Sequence, residues 1–457
     1  MRMLGPFDQV VTMKLKLSFI AACLCFLAGC QPGATVTAVP YNPDGGDIAL
    51  RCGTLIDGLS DEASTNQLVV INNGRIAAVV AADAKIPPGM PLLELDDHTC
   101  LPGLINTHVH FDSVPGDAAD YGIYARRTRD DNNRLVLDNA AITLETGFTT
   151  VRHTGAWFWK SVYYGRKQIR NGAAVGPRIR TAGPYLTIPG GGGDLTFPEI
   201  PPDKIPAEAQ AGVASTPEEF RQRAEAAIAE GADFLKVIAS GAVFSVGTDP
   251  GAPEMHQDDI EAVVDVARKA GIKVTAHVHS AQSGKDAIRA GVDSLEHASL
   301  LDDEAIALAA EHSVALSMDV YNGTYTDTIG RDMGYPEVFL QRNTDTTEAQ
   351  RVVFEKAYAL GVPILYGTDA AVLPHDMGGW QFGIMVERGM APMDAIKSAT
   401  SVPADHMGLQ EDIGAIERGR FGDVIAVRGS PLDDVNVMKN VDVVIKGGLV
   451  FKLPPDL

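Results

Sequence analysis

The chain has 457 residues, of which 45% are hydrophobic and 21% are charged, so its composition is that of a globular protein with one or two domains. It carries 38 lysines and arginines against 59 aspartates and glutamates, and its formal net charge is −21. Such a surface has too little positive charge to neutralise phosphates. This excludes nucleic acid as a partner and slightly favours a cationic small molecule.

Residues 1–30 have the pattern of an export signal. Lys14 and Lys16 precede an apolar stretch, Leu17 to Leu27, that is too short to span a bilayer as a stable helix. The stretch ends in Leu-Ala-Gly-Cys, which resembles the lipobox of bacterial lipoproteins and implies that Cys30 is lipidated. The alternative is plain signal-peptide cleavage nearby. We therefore expect an exported, periplasmic protein whose only membrane contact is a lipid anchor.

Short β patterns at both ends of the remaining chain predict a small β-sandwich built from the two termini. Residues 31–46 are rich in proline, glycine and small side chains, which is typical of a tether. Residues 47–100 contain apolar runs, two of which are separated by the hairpin dipeptide Asn73-Gly74. Residues 404–457 contain similar runs and form the second part of the predicted sandwich.

Only two of the five cysteines lie beyond the signal and its proposed lipid site. These two, Cys52 and Cys100, lie at the two ends of the first sandwich segment. In an oxidising compartment they would be able to form a disulfide, and the alternative is a pair of buried thiols. The sequence alone leaves both states open.

Between the β-rich ends, residues 101–403 alternate apolar strands with helical stretches. Over roughly 300 residues this alternation predicts a parallel α/β fold, most simply a (β/α)8 TIM barrel. One helix is predicted over 217–230, with Ser215 or Thr216 as its N-cap. Predicted strands include 148–151, 234–238, 273–277, 294–297, 314–317 and 364–367.

Histidine, lysine and aspartate side chains mark several predicted strands, mostly at their ends. His108 and His110 are two residues apart, so both point to the same side of a strand. In a barrel, groups at the carboxyl ends of different strands converge on one site, and imidazole is the commonest metal ligand. Five of the eleven histidines lie at predicted strand ends. The whole set is His108, His110, Lys236, His277, His279, His297 and Asp369.

This order of residues resembles the amidohydrolase superfamily over nearly the whole chain after the signal. The shared pattern is a split sandwich around a barrel, an H-x-H pair, a strand-four lysine, histidines on strands five and six, and an aspartate on the last strand. The runs GADFLK (231–236), AHVH (276–279), DSLEH (293–297) and YGTDA (366–370) are similar to the imidazolonepropionase-like branch. That branch includes binuclear dipeptidases that cleave Xaa-Pro or Xaa-Arg/Lys bonds, and ochratoxin-type amidases.

The resemblance implies two divalent metal ions, expected to be Zn²⁺, bridged by a carboxylated lysine. Lys236 would be this bridge, because a desolvated lysine amine reacts with carbon dioxide or bicarbonate-derived carbon dioxide to form a carbamate. A hydroxide between the metals would attack the substrate, and Asp369 would take its proton and pass it to the leaving amine. The implied ligands are His108, His110 and Asp369 for the first metal and His277 and His297 for the second.

Three further residues are candidates for contact with the substrate. His279 lies on the same strand face as His277, and it contacts the substrate, orients a ligand or replaces His277 as the ligand. His153 ends the second strand, where the branch more often has aspartate, and it meets the substrate carboxylate or supports a ligand. Tyr325 follows the seventh strand and hydrogen-bonds the substrate or packs against the protein.

We therefore expect a binuclear metallohydrolase of C–N bonds that acts on a small molecule. The expected substrates are Xaa-Pro or Xaa-Arg/Lys dipeptides or N-acyl amino acids. The alternatives are a mononuclear deaminase or cyclic amidohydrolase, which needs no bridging lysine, and a lactone or phosphotriester hydrolase on the same site. The side-chain preference lies in barrel loops that the resemblance does not cover, and a homo-oligomer is compatible with the sequence.

Overall fold

The computed structural model describes residues 45–245, 248–455 and 457. The predicted signal 1–30, the lipid site Cys30 and nearly all of the predicted tether lie outside the described residues. Within the described ranges, no helix combines the length and the apolar character needed to cross a membrane.

Strands and helices alternate through most of the described chain. The strands are β1 (Ile48–Leu55), β2 (Ser64–Asn72), β3 (Arg75–Ala81), β4 (Leu92–Pro102), β5 (Leu104–Val109), β6 (Phe148–His153), β7 (Arg178–Thr181), β8 (Leu235–Ile238), β9 (Val274–Ser280), β10 (Ser294–Leu300), β11 (Ala315–Met318), β12 (Ile364–Tyr366), β13 (Val424–Arg428), β14 (Val443–Lys446) and β15 (Leu449–Lys452). The helices are α1 (Ile123–Arg126), α2 (Arg129–Glu145), α3 (Trp159–Arg170), α4 (Pro217–Ala229), α5 (Gln257–Ala270), α6 (Ala281–Ala290), α7 (Asp303–Glu311), α8 (Asn322–Ile329), α9 (Glu337–Ala359), α10 (Gln381–Glu387), α11 (Pro392–Ser398) and α12 (Ser401–His406).

Both ends of the described chain contribute strands to one sheet, as the sequence predicts. Its strand order is β15-β14-β13-β4-β1-β2-β3, with β1 and β4 parallel and the other neighbours antiparallel. Asn73 and Gly74 make the predicted turn between β2 and β3, with φ of 49° and 73° as a two-residue hairpin turn requires. Cys52 on β1 and Cys100 on the adjacent β4 form a disulfide.

Parallel strands β5 to β12 form the barrel predicted for the middle of the chain. They pair as two sheets, β5-β6-β7 and β8-β9-β10-β11-β12. Single parallel bridges, Leu186 to Val237 and Val109 to Ala370, join the two sheets at both edges. The first strand therefore ends beside the last, and this places the carboxyl ends of all eight described strands around one axis.

The helix predicted over 217–230 is α4, which confirms the capping signal in the sequence. The hydroxyl of Thr216 accepts a hydrogen bond from the backbone N–H of Glu219 at 3.3 Å. Thr216, rather than Ser215, is therefore the N-cap, and Pro217 occupies the first turn, where a missing N–H costs nothing.

Two features of the barrel differ from the expectation. The third strand, β7, has the sequence Arg-Ile-Arg-Thr, which is too short and too charged to be predicted as a barrel strand. The expected barrel start at residue 101 falls inside β4, which continues to Pro102. Gly103 separates β4 from β5. Glycine fits at this position because a Cβ there would lie 2.2 Å from the hydroxyl oxygen of Thr149.

Candidate metal centre

A cavity of about 180 Å³ opens at the carboxyl ends of the barrel strands. Each barrel strand is short and buried, so its last residues hold their side chains in a fixed direction toward this opening. The structure thereby brings together residues that are up to 261 positions apart (His108 and Asp369). The predicted residues that line the cavity are His108, His110, Lys236, His277, His279, His297 and Asp369.

His108, His110 and Asp369 form a triangle of ligand atoms. The Nε2 atoms of the two histidines are 3.1 Å apart. Asp369 Oδ1 lies 3.4 Å from Nε2 of His108 and 3.3 Å from Nε2 of His110. Ligands of a tetrahedral zinc ion are roughly 3.3 Å apart when their bonds are about 2.0–2.1 Å, so these separations fit one shared ion. The triangle is fixed by the backbone, where Asp369 N donates to His108 O at 2.9 Å.

A second group of ligand atoms faces the same cavity. Nitrogen atoms of His277, His279 and His297 lie within 4.8 Å of one another. The ring centre of His277 is 4.8 Å from that of His279 and 4.5 Å from that of His297. His279 is therefore within ligand distance beside His277, and the group offers one nitrogen more than the pair expected from the sequence.

Carboxylates behind two of the imidazoles determine which ring nitrogen faces the cavity. Glu296 Oε2 lies 2.9 Å from His108 Nδ1, and Asp319 Oδ1 lies 3.0 Å from His297 Nδ1. When Nδ1 carries the hydrogen and donates it to the carboxylate, Nε2 keeps its lone pair for a metal. This arrangement of carboxylate, histidine and open cavity is typical of metal sites.

A buried ion pair supports the carboxylate behind His108. The side chains of Arg152 and Glu296 are 4% and 0% exposed, and the guanidinium donates to the carboxylate. Arg152 also donates from Nε to the backbone oxygen of Thr107 at 2.8 Å. Burial by itself would raise the pKa of Glu296, but Arg152 together with His108 and Lys236 outweighs burial and holds that pKa well below its usual value. Glu296 is therefore ionised, with Oε2 2.9 Å from His108 Nδ1.

Burial keeps most of the imidazoles neutral. It lowers the pKa of His108 to about 4 and that of His279 to about 3, and it holds the pKa of His277 well below its usual value. For His297, burial acts in the same direction, but the charge and hydrogen bond of Asp319 together with the charge of Asp369 outweigh burial and raise the pKa. A neutral imidazole is the form that binds a metal ion.

Lys236 is a buried amine in the wall of the cavity. The residue is 2% exposed. Burial lowers the pKa of Lys236 to about 8, although the charges of Glu296 and Asp369 oppose this shift. Such an amine is deprotonated, and hence nucleophilic, for a larger fraction of the time than an exposed lysine.

Two residues of the site have backbone angles that side chains rarely adopt. His297 has a φ of 65° and Asp369 a φ of 50°. Residues in this region cost about 1–3 kcal/mol each and persist only where the surroundings hold them, which is common at functional sites. Gly367 allows this packing next to Asp369, because a Cβ there would lie 2.2 Å from Ser317 Oγ and 2.9 Å from His108 Cβ.

Two of the three predicted substrate residues lie outside the lining of this cavity. His153 is fully buried, and its Nε2 accepts a hydrogen bond from the backbone N–H of Phe111 at 2.9 Å. It therefore supports the loop that follows His110. Tyr325 lies on α8 and is half-buried. The third, His279, does line the cavity, and its Nδ1 is 3.0 Å from Ser299 Oγ.

Asp319, which no sequence motif singled out, connects several parts of the site. Asp319 directly follows β11, and it accepts from His297, from Gln350 Nε2 at 2.7 Å and from Asn322 Nδ2 at 2.8 Å. A carboxylate just beyond a barrel strand is the same signal that singled out Asp369, so Asp319 was within reach of the sequence argument. Gln350 is not, because only folding brings the middle of α9 to this site.

The chain is similar to proteins of known family and structure. The model of the amidohydrolase family matches residues 99–450. Ochratoxinase from Aspergillus niger is 29% identical over 438 residues, which cover 89% of this chain and 86% of that protein. A crystal structure of a Xaa-Pro dipeptidase with bound methionine has a TM-score of 0.80 and 33% identity, and covers 89% of this chain and 100% of its own.

A third relative is a prolidase crystallised with N-methylphosphonate-L-proline. It has a TM-score of 0.82 and 26% identity, and the match covers 89% of this chain and 100% of that chain. These matches confirm the fold and the branch that the sequence motifs predict. The chain belongs to the amidohydrolase family, whose members are hydrolytic enzymes.

Proposed function

We propose that this protein is a binuclear metallohydrolase of amide bonds that acts on Xaa-Pro or Xaa-Arg/Lys dipeptides or on N-acyl amino acids. The similarity to ochratoxinase and to a Xaa-Pro dipeptidase supports the amide or peptide bond as the substrate class. The observation that carries the proposal is a pair of ligand groups that line one cavity together with Lys236. The first group is His108, His110 and Asp369, and the second is His277, His279 and His297.

The donor set suits two zinc ions. Imidazole nitrogens and a carboxylate oxygen are ligands that zinc prefers, and the spacing of the first group matches one ion. When bound, the two ions would lower the pKa of a water molecule and polarise the scissile carbonyl.

A bridge between the two groups is the role we assign to Lys236. Its neutral amine forms a bond to the carbon of carbon dioxide and loses a proton. The product is a carbamate, whose two oxygens share one negative charge and can each serve as a ligand. The buried position and the lowered pKa of Lys236 support this reaction, since only the free amine can perform it.

Asp369 is the proton carrier in this proposal. Burial would raise its pKa, but the neighbouring His108, His110 and His297 side chains together outweigh burial and lower it, so the carboxylate is ionised and able to accept a proton. It would take the proton of the attacking water and then donate it to the leaving nitrogen, which breaks the C–N bond and frees the amine.

The test is metal content and turnover of the protein purified with zinc and bicarbonate. We expect two metal ions per chain and hydrolysis of at least one member of a panel of Xaa-Pro, Xaa-Arg/Lys and N-acyl amino acid substrates. Lys236→Ala is expected to lose at least one metal and about a thousandfold or more in kcat/KM. The control is Lys269→Ala, which changes an exposed lysine on α5.

One metal per chain without amide turnover would contradict the proposal and favour a mononuclear deaminase or a cyclic amidohydrolase. Full activity in Lys236→Ala would contradict the bridging role alone. Turnover of lactones or phosphotriesters in the absence of amide turnover would reassign the reaction while keeping the metal centre.

We further propose that the protein is exported to the periplasm and lipidated at Cys30. The disulfide between Cys52 and Cys100 supports an oxidising compartment, because cytosolic proteins rarely keep such bonds. Growth with a radiolabelled fatty acid tests the anchor: the label is expected in the wild type and in Cys25→Ser, and absent from Cys30→Ser. Label that persists in Cys30→Ser would contradict it.

A further inference from the structure

A second chamber, of about 120 Å³, adjoins the metal centre. Of the predicted metal-centre residues, only His110 and Asp369 line it, whereas the larger cavity is lined by all of them. Its walls come from segments that follow several different barrel strands, so only the closed barrel assembles it. The residues that line both spaces are His110, Tyr121, Trp157, Tyr185, Phe244, Asp369 and Val372.

The wall of the chamber is largely aromatic and tightly packed. The ring of Tyr124 lies 4.9 Å from that of Trp157, and the ring of Phe244 lies 5.4 Å from that of Tyr335, both in edge-to-face orientation. Aromatic rings in such contacts form a rigid surface that accepts another ring at its faces and edges. The aromatic lining consists of Tyr121, Tyr124, Trp157, Tyr185, Phe244 and Tyr335, and aliphatic lining comes from Val114, Ala118, Ala371 and Val372.

The tyrosine hydroxyls in this wall are already hydrogen-bonded to protein atoms. The chamber therefore offers a ligand mainly carbon surface, although its wall contains four phenols. The pairs are Tyr121 with the backbone oxygen of Phe244, Tyr124 with Ser113 Oγ at 2.8 Å, Tyr185 with His110 Nδ1 at 3.1 Å, and Tyr335 with the backbone N–H of Gly116 at 3.0 Å.

Apart from Asp369 at the border with the larger cavity, the described lining of the chamber has no unpaired lysine, arginine or carboxylate. Asp117 lines it, but Arg127 donates two hydrogen bonds to that carboxylate, at 2.7 and 2.8 Å. Among the described residues that line either space, Lys236 is the only lysine or arginine, and it lines the larger cavity alone. In the proposed function Asp369 serves the first metal and the proton transfer, so a charged side chain placed in the chamber would lose its hydration without gaining an ion-pair partner of its own.

The reaction proposed for the metal centre indicates which half of the substrate lies in the chamber. Asp369 lines the chamber and, in the proposed function, delivers the proton to the leaving nitrogen. Asp369 also lines the larger cavity, but the second ligand group lines that cavity alone, so the group attached to the leaving nitrogen lies next to Asp369 on the chamber side. We propose that the chamber binds the side chain of the leaving amino acid and selects a large apolar side chain, an aromatic one above all. This inference rests on the proposed function and narrows it, because it ranks Xaa-Arg/Lys substrates last.

Turnover with one fixed acyl group tests the preference. The substrates are N-acetyl derivatives of phenylalanine, leucine, alanine and arginine, and the full chain is loaded with zinc. We expect kcat/KM to fall in that order, with phenylalanine at least about 30-fold above alanine, because the larger side chain buries more apolar surface. A kcat/KM for the phenylalanine substrate that is close to that for the alanine substrate, or a preference for the arginine substrate, would overturn the inference.

Two substitutions test the chamber itself through the ratio of the phenylalanine to the alanine substrate. Phe244→Ala removes one wall, and Val114→Phe fills the space from the side away from the larger cavity. Each is expected to lower the ratio about tenfold. The control is Tyr164→Ala, which removes an aromatic ring that is 40% exposed on α3 and should leave the ratio unchanged. An unchanged ratio in both chamber variants would overturn the inference.

A binding measurement separates the failure of this inference from that of the proposed function. Free L-phenylalanine and L-alanine are titrated calorimetrically into the metal-free full chain. We expect phenylalanine to bind at least about tenfold more tightly, and Phe244→Ala to abolish the difference. If phenylalanine binds in this way but no amide is hydrolysed, the proposed function fails and the chamber stands. If amides are hydrolysed but phenylalanine binds no better than alanine, the chamber assignment fails alone.

Discussion

Asp319 Oδ1 and His297 Nδ1 lie 3.0 Å apart, at the ends of adjacent barrel strands β11 and β10. The other side of the same imidazole faces the metal cavity, so the carboxylate controls the direction and the tautomer of a candidate ligand. Gln350 holds Asp319 in turn, from a helix outside the barrel. The metal centre therefore depends on residues that do not themselves reach a metal.

Asp319→Asn is expected to weaken zinc binding about 10–100-fold, because the amide keeps the shape but loses the charge that fixes the His297 tautomer. Competition with a chelator of known affinity measures the change. Asp303→Asn, in an exposed position with 83% side-chain exposure, serves as the control. Equal zinc affinity in Asp319→Asn and the wild type would show that the hydrogen bond has no such role.

Arg152→Met is expected to lower the free energy of unfolding by about 3–5 kcal/mol, because it leaves the buried carboxylate of Glu296 without its cation. Urea denaturation measures the loss. The matched control is Arg331→Met, which breaks an ion pair whose two side chains are each 74% exposed and should leave the free energy of unfolding nearly unchanged. Similar losses in both variants would contradict the special role of burial.

Replacement of both Cys52 and Cys100 by alanine is expected to lower the free energy of unfolding by about 2–4 kcal/mol, because the disulfide closes a long loop and restricts the unfolded chain. The two cysteines are 48 positions apart and fully buried. Denaturation of the wild type with and without reductant checks the same quantity without a mutation. If reductant lowers the free energy of unfolding of the double variant as much as that of the wild type, the loss of stability does not come from this disulfide.

We expect the free energy of unfolding to depend on pH through the buried carboxyl group of Glu254. Burial raises its pKa to about 7 from a usual value of 4.5, although Gly192 N donates to the carboxylate at 2.9 Å. Between these two values the folded protein keeps a proton that the unfolded chain has released. The contribution of Glu254 to the free energy of unfolding is therefore complete below about pH 4.5 and is lost as the pH rises through about 7. It amounts to about 3 kcal/mol.

Glu254→Gln is expected to remove this part of the pH dependence, because the amide does not ionise. Urea unfolding at pH 5 and pH 8 measures the difference in stability for each variant. Glu225→Gln, which changes an exposed glutamate on α4, is the control and should keep the dependence of the wild type. A Glu254→Gln variant that loses stability between these two pH values as steeply as the wild type would contradict the prediction.

The sequence by itself determined the class of fold and the set of candidate ligands. Alternation of strand and helix is a local pattern, and so is the two-residue spacing of His108 and His110. The carboxyl ends of all barrel strands meet at one face, so a residue's position at a strand end is enough to assign it to the candidate metal centre. The same argument would have included Asp319.

Only the tertiary structure decided the contacts between segments that are distant along the chain. It pairs Cys52 with Cys100 and buries His153 behind the site rather than in it. It also assembles the aromatic chamber from loops after different strands. Loop conformation and side-chain packing depend on every neighbouring segment at once, and no local pattern in the sequence encodes them.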